Sequence, residues 1–350
     1  MDNNTLTMNE TVTENTAEQV TIGAPFAEAP DFTMVAKENE RDANGKLILT
    51  EENYFSEEAD KDYMSVSQFK NFAGNTAKSG CEYNGLLLAK KIIKQSVTTP
   101  LLQGSYVDAY FEGTLDKFKE ENKEYLFKKT GDKGLKSEFL KSEAIIKRVN
   151  NDPEFMKYMA GQKQVIMTGN LFGVDWKIKM DSYFPDDKIV DLKCMKDTAP
   201  IWCDKVGSKQ HFIIAWGYDI QGAIYQKIVE INTGKKLPFF IAVATKEDIP
   251  DIQLIEVDQE YLDRALAFVE QNIGRVLDVK NEVVEPIHCG VCPICKRNKK
   301  LSGPVKLSSL IPKSDNFGSD DEDGEGDEYG VSTDVPDYDV TPPANGFSLF

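Results

Sequence analysis

The sequence predicts an α/β fold, a mixed sheet flanked by helices, on three observations. Residues 169–193, GNLFGVDWKIKMDSYFPDDKIVDLK, read as two strands joined by a turn. Pro238 to Ala244, PFFIAVA, is a near-continuous apolar run of the kind that fills a buried central strand. Segments with apolar residues at helical spacing lie before, between and after these strands.

Taken in order, the first 60 residues are rich in Thr, Asn and Glu with little periodicity, and are expected to be largely disordered. The folded part is expected to begin near Tyr63. Ser65 or Ser67 can cap a helix through Gln68, Phe69 and Phe72. Cys81 opens a second helix, residues 82–94, with Leu86, Leu87, Ile92 and Ile93 as its apolar members. Residues 101–112, LLQGSYVDAYFE, follow Pro100 as a buried helix in which Gly104 would admit another backbone. Asp108 is the odd carboxylate among its apolar neighbours. It is either a position on a polar face or a further acidic ligand. Residues 114–160 are charged and helical, a peripheral layer. Residues 211–232, HFIIAWGYDIQGAIYQKIVEIN, read as one strong helix in which Gln221 and Tyr225, four apart, share a face. Residues 254–257 are a further strand, and 259–277 a helix.

The hairpin carries the chemistry. Val174 to Met180 alternates apolar and polar, the period of a half-buried strand. Phe184-Pro185-Asp186-Asp187 supplies the turn. Asp181 ends the first strand, while Asp191 and Lys193 share one face of the second. Carboxylates gather around a hard divalent ion such as Mg²⁺ or Mn²⁺, often with waters and a phosphate. The backbone carbonyl of Leu192 offers a further ligand. A neighbouring lysine can orient or deprotonate a water, or steady charge building on phosphate. The bland alternative is a solvated hairpin with a surface Asp/Lys pair.

The chain has 350 residues and a formal net charge of −17, which at first argues against nucleic acid as a partner. The charge is uneven. Residues 1–60 and 314–350 each carry −11, so residues 61–313 carry +5. A polyanion contacts local patches rather than a whole-chain average. No apolar run reaches the roughly 18 residues of a membrane span. The polar, acidic N-terminus has no secretory pattern, so a soluble cytoplasmic protein with no membrane partner is expected. Six cysteines in a reducing compartment point to free thiols or metal ligands.

The ordered set Asp108, Asp181, Asp191-x-Lys193 and Gln221-x₃-Tyr225 resembles the PD-(D/E)xK nuclease superfamily, and within it the phage and prophage RecB/RecE-like exonucleases. The resemblance spans about residues 63–300 and rests most on IVDLK followed by YDIQGAIYQ. It implies a restriction-endonuclease-like core in which Asp181 and Asp191 hold Mg²⁺ and Lys193 assists the attacking water. It also implies that Gln221 and Tyr225 bind DNA or support the site, with Asp108 as a further ligand. Two departures stand out: Met180 rather than proline precedes Asp181, and Asp108 sits where many relatives have His. Pro185-Asp186 imitates the motif, but only four residues separate Asp186 from Asp191, too few for the usual hairpin.

Cys289-Gly-Val-Cys292-Pro-Ile-Cys295 is the second motif. Three thiolates at this spacing can meet on one metal, and Cys81 is the candidate fourth ligand. One cysteine before the core and a cluster after it resembles the iron–sulfur nucleases of the AddB and CRISPR-adaptation type, which implies a 4Fe–4S cluster. Zinc is the alternative, with His288 as a nitrogen donor, and plain reduced thiols are the third. Either metal would staple the ends of a nuclease domain spanning 61–313. Cys194 and Cys203 read as ordinary thiols. Lys296, Arg297, Lys299 and Lys300 follow the motif and can touch a DNA backbone or simply face solvent.

From Ser314 the chain reads as a disordered acidic tail ending in Phe347-Ser-Leu-Phe350. It resembles the tails of single-strand-binding proteins and implies docking to a single-strand-binding or annealing partner, or competition for a DNA groove. A solubilising role is the alternative. The expected activity is metal-dependent exonucleolytic cleavage of linear DNA in phage-type recombination or repair. An iron–sulfur exonuclease acting on single strands and a catalytically idle DNA- or partner-binding module are the other two readings. Related exonucleases form rings, so the resemblance leaves a homo-oligomer open, though nothing in the sequence itself points to one.

Overall fold

The computed structural model describes residues 40–95, 97–131 and 133–310. The acidic tail and the first 39 residues lie outside them. Eight helices come first: α1 (Glu57–Asp62), α2 (Val66–Ala73), α3 (Glu82–Ala89), α4 (Thr99–Glu112), α5 (Leu115–Glu121), α6 (Lys123–Leu126), α7 (Ser137–Asn150) and α8 (Pro153–Tyr158). Six strands follow: β1 (Val165–Leu171), β2 (Val174–Met180), β3 (Ser182–Phe184), β4 (Lys188–Met195), β5 (Ile201–Cys203) and β6 (Ser208–Gln210). The chain continues through α9 (Phe212–Ala215), α10 (Tyr218–Thr233), β7 (Phe239–Thr245), β8 (Ile252–Glu256), α11 (Gln259–Lys280) and α12 (Pro293–Arg297).

The central sheet has the order β3-β4-β7-β8. Its β4–β7 pair is parallel and its outer pairs antiparallel, so the expected mixed sheet is present. Helices cover both faces of the two inner strands, so these are largely apolar on both sides, with Asp191 and Lys193 of β4 the charged interruption. Ile189, Phe239, Ile241 and Val243 face one core, with Phe69, Ile224 and Val269 from α2, α10 and α11. Val190, Leu192, Ala242 and Ala244 face the other, against Val107, Phe139 and Phe155 from α4, α7 and α8. The period-2 alternation along each strand sorts these sets.

β1 and β2 form a separate hairpin whose turn, Phe172-Gly173, has both φ angles positive at 55° and 76°. Such a turn matches the right-handed strand twist. Ser65, rather than Ser67, caps α2, accepting the Gln68 N–H at 3.3 Å. Thr98 caps α4, with Pro100 in its first turn.

Several expectations are corrected. The expected helix over 211–232 is two helices, broken at Trp216-Gly217, where Gly217 takes φ +65°. α3 stops at Ala89 instead of reaching residue 94. A side chain at Gly104 would meet nothing within 4 Å, so no backbone approaches there. The fold also begins before residue 61: Leu47, Tyr54 and Ala59 are buried in it.

Candidate active site

The first strand of the functional hairpin bends at Asp181 between β2 and β3. Ser182 pairs with Val190 across β3 and β4, so one step further Asp181 stands opposite Asp191. Opposed residues of this kind bring their Cβ atoms within about 5 Å. The Leu192 N–H donates to Asp181 Oδ2 at 2.8 Å. The N–H and C=O of one strand residue point the same way, so the Leu192 carbonyl also faces this opening rather than β7.

Asp191 is 2% exposed. Gln221 Nε2 donates to its Oδ1 at 2.6 Å. Lys193 Nζ lies 2.5 Å from its Oδ2 as an ion pair, yet no donor is aligned with that buried oxygen. Lys193 also sits 5.0 Å above the Tyr218 ring. Burial works against the Lys193 charge, but the carboxylates of Asp191 and Asp181 outweigh it and hold the ammonium above its ordinary range. Tyr225 donates its hydroxyl to the Lys179 carbonyl at 3.0 Å. The two helical partners thus reach the hairpin from behind, one gripping Asp191 and the other the end of β2. Burial pushes the Asp181 carboxyl up to about 7, reinforced by the Asp191 charge. Asp108 reaches the same cleft from α4, and burial followed by the Asp181 charge pushes its carboxyl well up.

Three crowded carboxylates against one lysine leave an excess of negative charge in a place shielded from water. An oxygen-seeking divalent cation resolves that excess. Asp108, Asp181 and Asp191 are oxygen donors of the kind such an ion takes, while the donor set drawn closely together among the described residues is that of the cysteines. Asp186, by contrast, sits in the exposed turn at φ +69°, paired with Lys235 at 2.5 Å.

The site lines a cleft of about 1710 Å³. Sequence reasoning missed four of its residues. Glu112 lies one helical turn beyond Asp108, a spacing that could have flagged it. Lys70, on α2, donates to the Trp216 carbonyl at 3.2 Å and covers the Tyr218 ring at 5.4 Å. Burial, then the nearby Lys193 charge, draws its ammonium down to about 8. Phe55 is 71% exposed, edge-on to Tyr54, with Lys179 Nζ 4.9 Å above its ring. Nothing local in the sequence marks Lys70, Phe55 or Lys179.

The cysteines converge as well. The sulfurs of Cys81, Cys289, Cys292 and Cys295 all lie within 4.8 Å of one another. Cys194 and Cys203 are not in this group, and burial pushes the Cys194 thiol up to about 12. Cys289 and Cys292 border the same cleft as the carboxylates. Lys296, Arg297, Lys299 and Lys300 are exposed beyond them. Among the described residues no helix is long and apolar enough to cross a membrane.

A mixed sheet whose hairpin presents Asp181 and Asp191-x-Lys193, backed by a helix carrying Gln221 and Tyr225, defines a domain of the PD-(D/E)xK nuclease superfamily. Residues 65–298 match the family described as "PDDEXK-like domain of unknown function (DUF3799)", and the chain belongs to that family. It is also similar to a crystal structure from Eubacterium rectale described as "Putative exonuclease". The two share 51% identity over 76% of this chain and 99% of the other, with a TM-score of 0.72. No curated protein matches.

Proposed function

We propose that the protein is a metal-dependent DNA exonuclease that hydrolyses phosphodiester bonds from the ends of linear duplex DNA, in phage-type recombination or repair. The observation that carries this reading is the meeting of Asp108, Asp181, Asp191 and Lys193 in one cleft, with Gln221 fixing the Asp191 carboxylate. A neighbour described as an exonuclease supports it.

Asp108, Asp181, Asp191 and the Leu192 carbonyl would hold Mg²⁺ or Mn²⁺, which, when bound, polarises phosphate and lowers the pKa of water. Gln221 keeps Asp191 in one orientation. Lys193, clamped between Asp191 and Tyr218, places a donor where the scissile phosphate or the attacking water sits. Lys70 supplies a second cation for the strand's backbone, and Phe55 an aromatic face for a base. The exposed Lys296, Arg297, Lys299 and Lys300 extend phosphate contacts outward. Resected ends would pass to a single-strand annealing or binding partner, for which the acidic tail is the docking segment.

End-labelled linear duplex with Mg²⁺, compared with a closed circle and with single strands, tests this. Loss of the linear duplex from its ends, with the circle spared and chelator abolishing the reaction, is the expected result. No metal-dependent cleavage of any of the three would leave only a DNA- or partner-binding module.

A further inference from the structure

The geometry points to Cys81, Cys289, Cys292 and Cys295 as a mononuclear, tetrahedral zinc site, and not as the seat of an iron–sulfur cube. The sulfur of Cys81 lies 3.6 Å from that of Cys295 and 3.8 Å from that of Cys292. Cys289 and Cys295 sulfurs are 3.9 Å apart. A zinc–thiolate bond is about 2.3 Å, and a tetrahedron built of such bonds has edges of about 3.8 Å. The three separations straddle that value.

A 4Fe–4S cube places a different iron behind each thiolate. Its sulfurs must therefore stand farther apart than in a mononuclear site by one metal–metal separation. Here no two of the four sulfurs are more than 4.8 Å apart. That leaves about 1 Å for the distance between irons when bonds of the zinc length are assumed, less than any bonded pair of metal atoms. The residues do not fit the cube.

Backbone amides are aimed at three of the four sulfurs. Cys81 Sγ accepts the Asn84 N–H at 3.4 Å, Cys289 Sγ the Cys292 N–H at 3.3 Å, and Cys292 Sγ the Cys295 N–H at 3.4 Å. In each case the donor is three residues after the acceptor. The two C-x-x-C steps therefore bring the Cys289 and Cys292 sulfurs each a hydrogen bond from the next ligand's own amide, which orients them. His288 is a neighbour and not a ligand. Its ring stacks on Tyr83 at 4.0 Å, with Nδ1 3.9 Å from Cys295 Sγ, and four sulfurs already complete a tetrahedron. Behind the site, Arg275 grips Glu82 through two bonds of 3.0 and 2.7 Å, and Glu82 accepts the Ile287 N–H at 2.8 Å. The loop that carries three ligands is thereby held against the helix capped by the fourth.

Metal analysis of the full-length chain, purified anaerobically without chelator, tests the assignment independently of any nuclease activity. The expected result is one zinc per chain, no inorganic sulfide and a colourless protein. Exchange with Co²⁺ should give the intense visible bands of a tetrahedral cobalt thiolate. His288→Ala should keep both the zinc and an unchanged cobalt spectrum, whereas Cys81→Ser and Cys295→Ser should lower zinc content. If the cysteine variants do not fold, the wild-type metal content and His288→Ala still decide. Iron and sulfide in the protein as purified, failure of the chain to take up zinc, or loss of zinc from His288→Ala would each overturn the proposal.

Discussion

Asp191 is the residue on which the candidate chemistry turns, since it meets Gln221 on one oxygen and Lys193 on the other. Asp191→Ala and Asp181→Ala should each cut Mg²⁺-dependent cleavage by roughly 10²–10⁴-fold, the scale of a positioned acid–base group, while the circular dichroism spectrum stays unchanged. Asp186→Ala, in the exposed turn, should cleave like the parent, and equal losses at Asp186 and Asp191 would undo the assignment. Lys70 adds a pH signature. Its ammonium is drawn down to about 8, so it is charged below that pH and neutral above it. The KM for DNA should therefore climb as pH rises through about 8. Lys70→Met should start from a higher KM and lose that climb. A parallel pH profile in the variant would remove Lys70 from the phosphate contacts.

Within single elements, legibility follows the range of the interaction. The strands at 174–180 and 189–193 and the turn at 184–187 were readable because period, turn residues and charge spacing are all local, but their pairing was not: β4 pairs across the turn with β3, and β2 pairs with β1 instead. The C-x-x-C-x-x-C step, whose amide-to-sulfur bonds span three residues, was readable too. The break before α10 was not. Apolar spacing runs straight through Trp216-Gly217, and the left-handed Gly217 is enforced from elsewhere: a Cβ there would come within 3.1 Å of Asn75 Cβ. β1 was also missed, because its residues are half-buried and mix polar with apolar, leaving no clean alternation. The break places Gln221 in the second turn from the start of α10, aimed at β4. Gln221→Ala should lower kcat about 10- to 100-fold, the usual cost of losing a partner that orients a metal ligand. DNA affinity measured without metal should stay the same. A change in affinity with kcat preserved would make Gln221 a DNA contact instead.

Across the whole molecule, a polar junction beneath the cleft was invisible in the sequence, because its members are far apart in the chain. Lys177 of β2 is 1% exposed and donates to Asp60 Oδ1 at 2.8 Å. Gln68 of α2 donates to the same oxygen at 2.7 Å, and Lys91 pairs with the other. Lys280, at the end of α11, donates to the Asp60 carbonyl at 2.8 Å. One aspartate thus ties the segment before residue 61 to the strand that leads into Asp181. Burial works against the Asp60 charge, but Lys177 and Lys91 outweigh it and hold the carboxyl below its usual range. Asp60→Ala would strand a buried ammonium, and removing one partner of such a pair typically costs about 3–5 kcal/mol. Urea unfolding should show that loss. Lys177→Met in the Asp60→Ala background should recover much of it, because the uncompensated charge is then gone. Additive losses in the double variant would mean that the two residues stabilise the fold independently and that the junction does not work as a unit.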